Sequence, residues 1–257
     1  MKILFGGDVV GSMGCEFAAQ SVRRIKNERG IDVVIINGEN SADGNGLTRG
    51  SMEALFSFAD VITTGNHCFR RQEAIDLYDE HSFLLRPANY PEGTAGTGVC
   101  IIDKGAYSLA VMNICGTAFM DALDNPFECA DRLIAQCGTK NIIVDFHAEA
   151  TSEKKAMGFY LDGRVSAVIG THTHVQTADE MILPKGTAYI TDAGMCGTEL
   201  SVLGVEPELA VRKQRYRMPV RFTEAKGAQF FCGVIAEINE KTGTAVSVER
   251  IQLKESR

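Results

Sequence analysis

The amino-acid sequence predicts an α/β fold with a largely parallel core over its first 170 residues. Short apolar runs rich in β-branched residues recur along this part of the chain, and segments with helical spacing separate several of them. The runs are apolar on both faces, as expected of strands buried between layers. Because the 257 residues include 45% apolar side chains but no repeat and no linker-like stretch, we expect a single domain, residues 1–257.

Eight apolar runs are candidate strands, and they begin at residues 2, 32, 60, 98, 107, 141, 165 and 187. Two helices are predicted between the first three runs. The first ends at Gly30 and buries one face, formed by Cys15, Ala18, Ala19, Val22 and Ile25. The second follows Thr48, a candidate N-cap, and buries Met52, Leu55 and Phe56. Near the end of the chain, two alternating runs flank the sequence NEKTG, which predicts a hairpin.

Composition argues against several functional classes. The 26 basic and 33 acidic residues give a net charge of -7, which disfavours a broad surface for duplex nucleic acid. The apolar N-terminal stretch is too short for a signal sequence and no span approaches about 20 apolar residues, so we expect a cytoplasmic protein without a membrane partner. The eight cysteines include no C-x-x-C pair, which favours buried thiols in a reducing compartment.

One basic segment is compatible with three structural roles. Residues 194–227 show little periodicity and contain five clustered cations: Arg212, Lys213, Arg215, Arg217 and Arg221. Such a run is usually a solvated face, and a lid over an anionic ligand or a contact between subunits are the alternatives.

Polar residues that can bind metals follow five of the candidate strands. The ligand site of an open α/β sheet lies outside the carboxyl ends of its strands, so these side chains are expected to gather at one edge. They are Asp8, Glu39, Asn40, Asn66, His67, His147, His172 and His174. Each alone has an ordinary structural explanation, such as a helix cap, a turn former or a hydrogen-bonded core residue. Together they favour a metal site, whereas the fifth histidine, His81, is expected at the surface.

The spacing of His172 and His174 agrees with a metal site. If this stretch is extended, both imidazoles point to the same side and can reach adjacent metals. Glycines in the same motifs allow the backbone to approach closely. The glycine-rich stretch GGDVVGSMG lacks the G-x-G-x-x-G spacing of a dinucleotide site, and Asp8 within it would repel a pyrophosphate.

Three histidines, two asparagine amides and two carboxylates form a mixed nitrogen and oxygen donor set without a thiolate. Such a set suits Mn, Fe, Co or Zn better than Mg or Ca. Seven side chains are too many for one ion but suit two ions that share a bridging carboxylate. The charge of two divalent cations would be neutralised by Asp8, Glu39, a hydroxide and one phosphodiester.

The motifs GDVVG, NGEN, TTGNH and GTHTHVQTAD, with a lone histidine after a strand, occur in the order found in calcineurin-like metallophosphoesterases, and residues 1 to about 195 resemble that superfamily. Within it, the motifs are most similar to the YmdB-like branch of bacterial cyclic-nucleotide phosphodiesterases. The resemblance implies a four-layer αββα sandwich of two mixed sheets flanked by helices. It also implies attack of a metal-bound hydroxide on a 2′,3′-cyclic or 3′,5′-cyclic nucleotide, with two divalent ions of Fe or Mn, or alternatively Zn or Co.

The sequence departs from the superfamily pattern in two places. The residue two positions after Asp8 is Val10, where a histidine ligand is usual, and Glu39 stands where a bridging aspartate is usual. The resemblance implies that Asn40 fills the position left at the first metal.

Carried over residue by residue, the resemblance assigns four ligands to each metal, with Glu39 as the bridge. The first metal takes Asp8, Glu39, Asn40 and His174, and the second takes Glu39, Asn66, His147 and His172. His67 matches the family's catalytic histidine and is expected to protonate the departing ribose oxygen. No substrate-binding residue follows from the motifs, and substrate choice is expected to lie in loops 86–97 and 194–227.

Two other functions stay open at this point. A phosphomonoesterase or nucleotidase would use the same dinuclear site, because the metals recognise only phosphorus-bound oxygens. A regulatory protein that associates with RNA is favoured by the basic cluster at 212–221 and disfavoured by the negative net charge. A homo-oligomer is also expected.

Overall fold

The computed structural model describes residues 1–255 and contains two sheets and six α-helices within that range. The strands are β1 (Lys2–Gly6), β2 (Asp8–Val9), β3 (Val33–Asn37), β4 (Val61–Thr63), β5 (Val99–Asp103), β6 (Ser108–Cys115), β7 (Ile142–His147), β8 (Ala167–Thr171), β9 (Met181–Ile182), β10 (Ala188–Ile190), β11 (Met195–Thr198), β12 (Gln229–Ile238) and β13 (Ala245–Lys254). The helices are α1 (Gly11–Arg29), α2 (Arg49–Phe56), α3 (Ile75–Glu80), α4 (Pro126–Gln136), α5 (Thr151–Leu161) and α6 (Pro207–Tyr216).

The strands divide between two mixed sheets. Sheet one has the order β2-β11-β12-β1-β3-β4, with β13 paired antiparallel to β12. Within it, β1, β3 and β4 are parallel. Sheet two has the order β5-β6-β7-β8-β10-β9, and β6, β7, β8 and β10 are parallel. The predicted parallel core is present, but each sheet holds a part of it.

Three apolar cores hold the layers together. Side chains alternate along β1, so Ile3 and Phe5 face sheet two, whereas Leu4 faces α1 and α2 on the other side. The outer face of sheet two is covered by α4 and α5, for example through Met157. The resulting order of helix, sheet, sheet and helix is the four-layer αββα sandwich that the motifs implied.

The two helices predicted from the sequence are confirmed. α1 ends at Gly30, whose φ of 64° lets its N–H reach the carbonyl of Lys26. The hydroxyl of Thr48 caps α2 by accepting a hydrogen bond from the Ser51 amide. The predicted apolar faces are buried, except that Ala19 and Phe56 are partly exposed.

Residues 194–227 contain elements that the sequence pattern did not reveal. β11 and α6 lie there, and α6 buries only Ala210. A helix so exposed has no apolar stripe, which explains why no helical period was visible. The hairpin of β12 and β13 and the burial of all eight cysteines as free thiols are as predicted. No helix within residues 1–255 is long and apolar enough to cross a membrane.

Candidate metal centre

The candidate site residues gather where both sheets present the carboxyl ends of their parallel strands. Sheet one contributes the residues that follow β1, β3 and β4, and sheet two those at the ends of β7 and β8. The expectation of a single sheet edge was wrong, because the strands belong to two sheets packed face to face. Buried members of the cluster are Asp8, Glu39, Asn40 and His147, and partly exposed ones are Asn66, His67, His172 and His174.

Three candidate ligand atoms converge on Nε2 of His147. This atom lies 3.2 Å from Oε1 of Glu39 and 3.0 Å from Oδ1 of Asn66. It also lies 3.1 Å from Nδ1 of His172. Glu39, His147 and His172 offer ligand atoms within 4.8 Å of one another. Two imidazole nitrogens and two oxygens at such separations form a donor set that a single cation can occupy.

A second group of polar atoms surrounds Asp8. Nε2 of His174 lies 3.8 Å from Oδ1 of Asp8 and 3.2 Å from Nδ2 of Asn40. The same Nδ2 atom lies 3.3 Å from Oε1 of Glu39, so Glu39 touches both groups. Oδ1 of Asp8 is buried and has no hydrogen-bond partner among the described residues. Burying a carboxylate oxygen without a hydrogen-bond partner costs free energy unless a cation lies against it.

His67 borders both groups. Its backbone N–H donates to Oε2 of Glu39 at 2.9 Å, and its Nδ1 lies 2.7 Å from Oδ1 of Asn40. The side chain is 27% exposed. Nε2 has no hydrogen-bond partner within residues 1–255, so this ring nitrogen is available to a ligand.

His172 and His174 reach the cluster from a turn and not from an extended strand. β8 ends at Thr171, and the φ angles of the two histidines, 97° and 64°, lie in the left-handed region. The extended conformation on which the same-side orientation would have depended does not occur, although both imidazoles face the cluster. Thr173, between them, donates its N–H at 3.0 Å and its hydroxyl at 2.8 Å to Oδ2 of Asp192.

Asp192 is itself fixed in a buried ion pair. Nζ of Lys154 lies 2.6 Å from Oδ2 of Asp192, and both side chains are at most 1% exposed. The other carboxylate oxygen, Oδ1, accepts the N–H of Gly194 at 2.8 Å. Rotation of this carboxylate would leave a buried charge unpaired, so Asp192 holds the turn around Thr173 in place.

A hydroxyl and a carboxylate orient His147. Oγ1 of Thr171 donates to Oδ1 of Asp145 at 2.6 Å and lies 2.9 Å from Nδ1 of His147. Because the hydroxyl proton is used on Asp145, the oxygen accepts from Nδ1–H of the imidazole. In a neutral ring the lone pair then lies on Nε2, which faces the other candidate ligands.

The buried charges strongly influence one another. Burial acts to raise the pKa of Glu39, but His147 and His67 outweigh it and hold the pKa at about 2. Burial acts to lower the pKa of His147, yet Glu39 and Asp8 raise it to about 9. Burial, with the charge of His147, lowers the pKa of His172 to about 3. The field that draws a proton onto His147 would equally attract a metal cation.

The sequence analysis missed the residues that support the candidate ligands. Asp145 and Thr171 lie inside strands, Asp192 follows β10, and Lys154 lies on α5. One signal was present, because a carboxylate within the apolar run NIIVDFH has to find a partner when the run is buried. The partners could not be named, because they come from elements far apart in the chain.

Comparison with known proteins identifies relatives of this chain. A family model described as YmdB-like protein matches residues 4–251. The chain is 49% identical over 258 residues to the 2′,3′-cyclic-nucleotide 2′-phosphodiesterase of Bacillus subtilis (strain 168), covering 99% of this chain and 98% of that protein.

Solved structures show the same fold. A novel phosphatase of Mycoplasma pneumoniae superposes with a TM-score of 0.94 at 34% identity, covering 99% of this chain and 93% of the other. The calcineurin-like phosphoesterase YfkN from Bacillus subtilis superposes with a TM-score of 0.59 at 12% identity, covering 99% and 90%. At that identity the second likeness concerns the fold alone.

Proposed function

The chain belongs to the YmdB-like protein family, and on this premise we propose that it is a metal-dependent phosphodiesterase that opens the cyclic phosphate of 2′,3′-cyclic nucleotides. The observation that carries the proposal is the convergence of Glu39, Asn66 and His172 on Nε2 of His147. A cation in such a donor set can activate water for attack on phosphorus. The cyclic nucleotide is taken from the name of the Bacillus subtilis relative.

Two divalent cations, Fe or Mn, are the proposed cofactors, because both metals accept mixed nitrogen and oxygen ligands. The proposed ligands form two sets around the shared Glu39: Asp8, Asn40 and His174 in one, and Asn66, His147 and His172 in the other. The unpartnered buried Oδ1 of Asp8 supports the first set. When bound, the ions would lower the pKa of a water molecule and neutralise charge on the phosphoryl oxygens.

Asn40 would bind through its oxygen, which requires its amide to turn. Nδ2 faces Glu39 and His174, whereas Oδ1 faces Nδ1 of His67. Turning the amide exchanges the two atoms and brings Oδ1 to the side of Glu39. Nδ2 then donates to Nδ1 of His67, and the neutral imidazole must carry its proton on Nε2.

His67 is the proposed general acid. A neutral ring with its proton on Nε2 offers that proton at the edge without a protein partner. In the reaction, a water oxygen forms a bond to phosphorus and the bond from phosphorus to the ribose 2′ oxygen breaks. His67 donates its Nε2 proton to that oxygen and regains the proton that the attacking water releases, and the product is a nucleoside 3′-phosphate.

A substrate panel tests the proposal. The protein loaded with Mn²⁺ or Fe²⁺ is assayed against 2′,3′-cyclic nucleotides, 3′,5′-cyclic nucleotides and nucleoside monophosphates. We expect the 2′,3′-cyclic compounds to be opened to 3′-phosphates with the highest kcat/KM. Turnover of monophosphates alone would contradict the proposal.

A phosphomonoesterase or nucleotidase that uses the same cluster is the second candidate. The description of the Mycoplasma pneumoniae structure as a phosphatase favours it, and the same panel decides between the two. A cytoplasmic location and a homo-oligomeric state stay predictions, and the oligomeric state is measured by sedimentation of the purified protein.

A further inference from the structure

A basic surface, residues 209–223, contains cations but no aspartate or glutamate. The chain as a whole has a net charge of -7, so this composition is local. The cations are Arg212, Lys213, Arg215, Arg217 and Arg221. Because the chain as a whole is acidic, a local positive surface indicates a site for a specific anionic ligand and not nonspecific attraction to any polyanion.

The cations of the basic surface are not paired with carboxylates in the described part of the chain. Within residues 1–255 none of them forms an ion pair or a side-chain hydrogen bond. Several arginines on other surfaces are paired, since Arg49, Arg164 and Arg250 each contact a carboxylate. Unpaired cations so close together repel one another, and a ligand with several negative charges would relieve that repulsion.

Exposed aromatic rings lie among these cations. Tyr216 is 52% exposed and Phe222 is 48% exposed. The guanidinium carbon of Arg215 lies 5.0 Å from the ring centroid of Tyr216. Single-stranded nucleic acids bind surfaces of this kind, since bases stack on aromatic rings while phosphates meet cations.

Backbone contacts attach the basic surface to the metal centre. The carbonyl of Leu203 lies 3.1 Å from Nδ1 of His174. Three residues later, the N–H of Glu206 donates to the carbonyl of Thr223 at 3.0 Å. The two ends of the basic surface are therefore held against the segment that contacts a candidate metal ligand.

A cleft lies at the carboxyl-terminal end of the basic surface. It has a volume of about 720 Å³, and Arg221, Phe222 and Asp43 are among its lining residues. Glu224, which lines the cleft, lies against Gly11, and the N–H of Gly11 donates to the carbonyl of Asn40 at 3.0 Å, so the cleft approaches the metal centre. Glu206 and Glu224 also line it, and such carboxylates disfavour a phosphate but accept hydrogen bonds from base amino groups. A nucleotide on the 5′ side of the terminal one would therefore place its base in this cleft, beside Phe222.

The chemistry of the proposed substrate extends beyond a mononucleotide. A 2′,3′-cyclic phosphate forms on ribose when the 2′ hydroxyl of RNA attacks the adjacent phosphodiester and the next nucleotide leaves. RNA fragments cut in this way carry the same 3′ end as a cyclic mononucleotide. A site open on one side can accept that end with the rest of the strand attached.

We propose that the basic surface binds the 5′ part of a single-stranded oligoribonucleotide whose terminal 2′,3′-cyclic phosphate is opened at the metal centre. The proposal rests on the proposed function. Water adds to phosphorus, the bond to the 2′ oxygen breaks, and that oxygen takes a proton. The strand leaves with a 3′-phosphate, and no reactant other than water is required.

The test compares two substrates that share a terminal nucleotide, a cyclic mononucleotide and an eight-nucleotide RNA with a cyclic 3′ end. We expect a kcat/KM at least tenfold higher for the oligomer, mainly through KM. The combined variant Arg212→Gln, Lys213→Gln, Arg215→Gln and Arg217→Gln should lose this advantage and retain mononucleotide turnover. The slope of log KM against log salt should fall by about 0.7 for each phosphate that the variant no longer neutralises.

Matched controls separate the surface from general charge and from folding. The variant Arg23→Gln, Arg24→Gln and Lys26→Gln removes exposed cations from α1 and should keep the oligomer advantage. The double variant Phe222→Ala and Tyr216→Ala should raise the KM of the oligomer alone. Unchanged melting temperatures confirm that each variant is folded.

Three outcomes would overturn the proposal. The first is an equal kcat/KM for the two substrates. The second is an oligomer advantage that survives the combined variant. The third is a dimer, seen by sedimentation, that dissociates in the combined variant when the wild type shows no preference for the oligomer. Failure of the proposed function is distinguishable, because neither substrate would then be turned over. Fluorescence anisotropy of an oligomer ending in a 3′-phosphate would still measure binding to the protein. Equal binding by the wild type and the combined variant would show that the basic surface does not bind the oligomer.

Discussion

Oδ2 of Asp192 holds Thr173 by two hydrogen bonds, at 3.0 Å from its amide nitrogen and at 2.8 Å from its hydroxyl. Thr173 separates two candidate ligands, His172 and His174, and both of these have left-handed backbone angles. Such a conformation in a residue other than glycine costs on the order of 1–3 kcal/mol and persists where the surrounding structure fixes it. Asp192 therefore stabilises the turn that brings both imidazoles to the cluster.

Thr173→Val is expected to weaken metal binding. It removes one of the two hydrogen bonds to Asp192 while keeping the size of the side chain. Removing a hydrogen bond that orients metal ligands typically lowers affinity by about 10–100-fold, and titration of the metal-free protein with Mn²⁺ by calorimetry measures it. Thr187→Val is the matched control, because its buried hydroxyl bonds the carbonyl of Val165 at 2.7 Å and does not contact the turn. Equal Mn²⁺ affinity in wild type and Thr173→Val would show that this hydroxyl does not position the ligands.

His67→Ala is expected to lower kcat on a 2′,3′-cyclic nucleotide by roughly 10²–10⁴ while leaving bound metal unchanged. The imidazole contacts Asn40, but its Nε2 atom has no partner in the described chain and is free to serve the substrate. His81→Ala, which removes a partly exposed histidine next to Glu80, is the control and should change neither quantity. Wild-type kcat in a His67→Ala protein with its full metal content would exclude His67 as the acid.

Glu39→Gln is expected to reduce bound metal from two ions per chain to one or none. Glu39 contacts both groups of candidate ligands, and its carboxylate is ionised because its pKa is held at about 2. Elemental analysis after gel filtration gives the metal content. Glu53→Gln, on an exposed part of α2, should retain the wild-type content. Two bound ions per chain in the Glu39→Gln protein would show that Glu39 does not bridge the metals.

Asp179 is expected to stabilise the fold in a pH-dependent way. Burial acts to raise its pKa, but hydrogen bonds from Thr191, Thr177 and Lys155 outweigh it and hold the pKa at about 2, below the ordinary 3.8. Because the folded-state pKa is lowered, the stabilisation is present above about pH 4 and is lost as pH falls towards about 2. Asp179→Asn should therefore melt at a lower temperature than wild type at pH 6, and the difference should shrink towards pH 2.5. A difference independent of pH would contradict this assignment.

Local patterns in the sequence predicted helices, strands and the side chains that gather at the candidate site, whereas the four layers were implied by the resemblance to a known family. Helix α1 repeats apolar residues on one face and ends at Gly30, and strand β3 is apolar except for its last residue, so local patterns determine these elements. The candidate ligands were visible because histidines and carboxylates directly follow such runs.

Other features depend on tertiary interactions that no local pattern records. The division of the strands between two sheets follows from pairings such as Lys2 with Glu237, which are remote in the chain. α6 escaped prediction because it buries a single residue, Ala210. The left-handed turn at His172 and His174 depends on Asp192, which follows a different strand, and for this reason the stretch is not extended.

The most direct test of the central claim follows the phosphorus atom. Phosphorus NMR of 2′,3′-cyclic AMP, mixed with the protein before and after removal of metal by a chelator and reloading with Mn²⁺, records both the product and its dependence on metal. The account predicts conversion to 3′-AMP by the reloaded protein and no conversion by the chelated one. An unchanged cyclic phosphate in the presence of the reloaded protein, or equal conversion by the chelated protein, would contradict it.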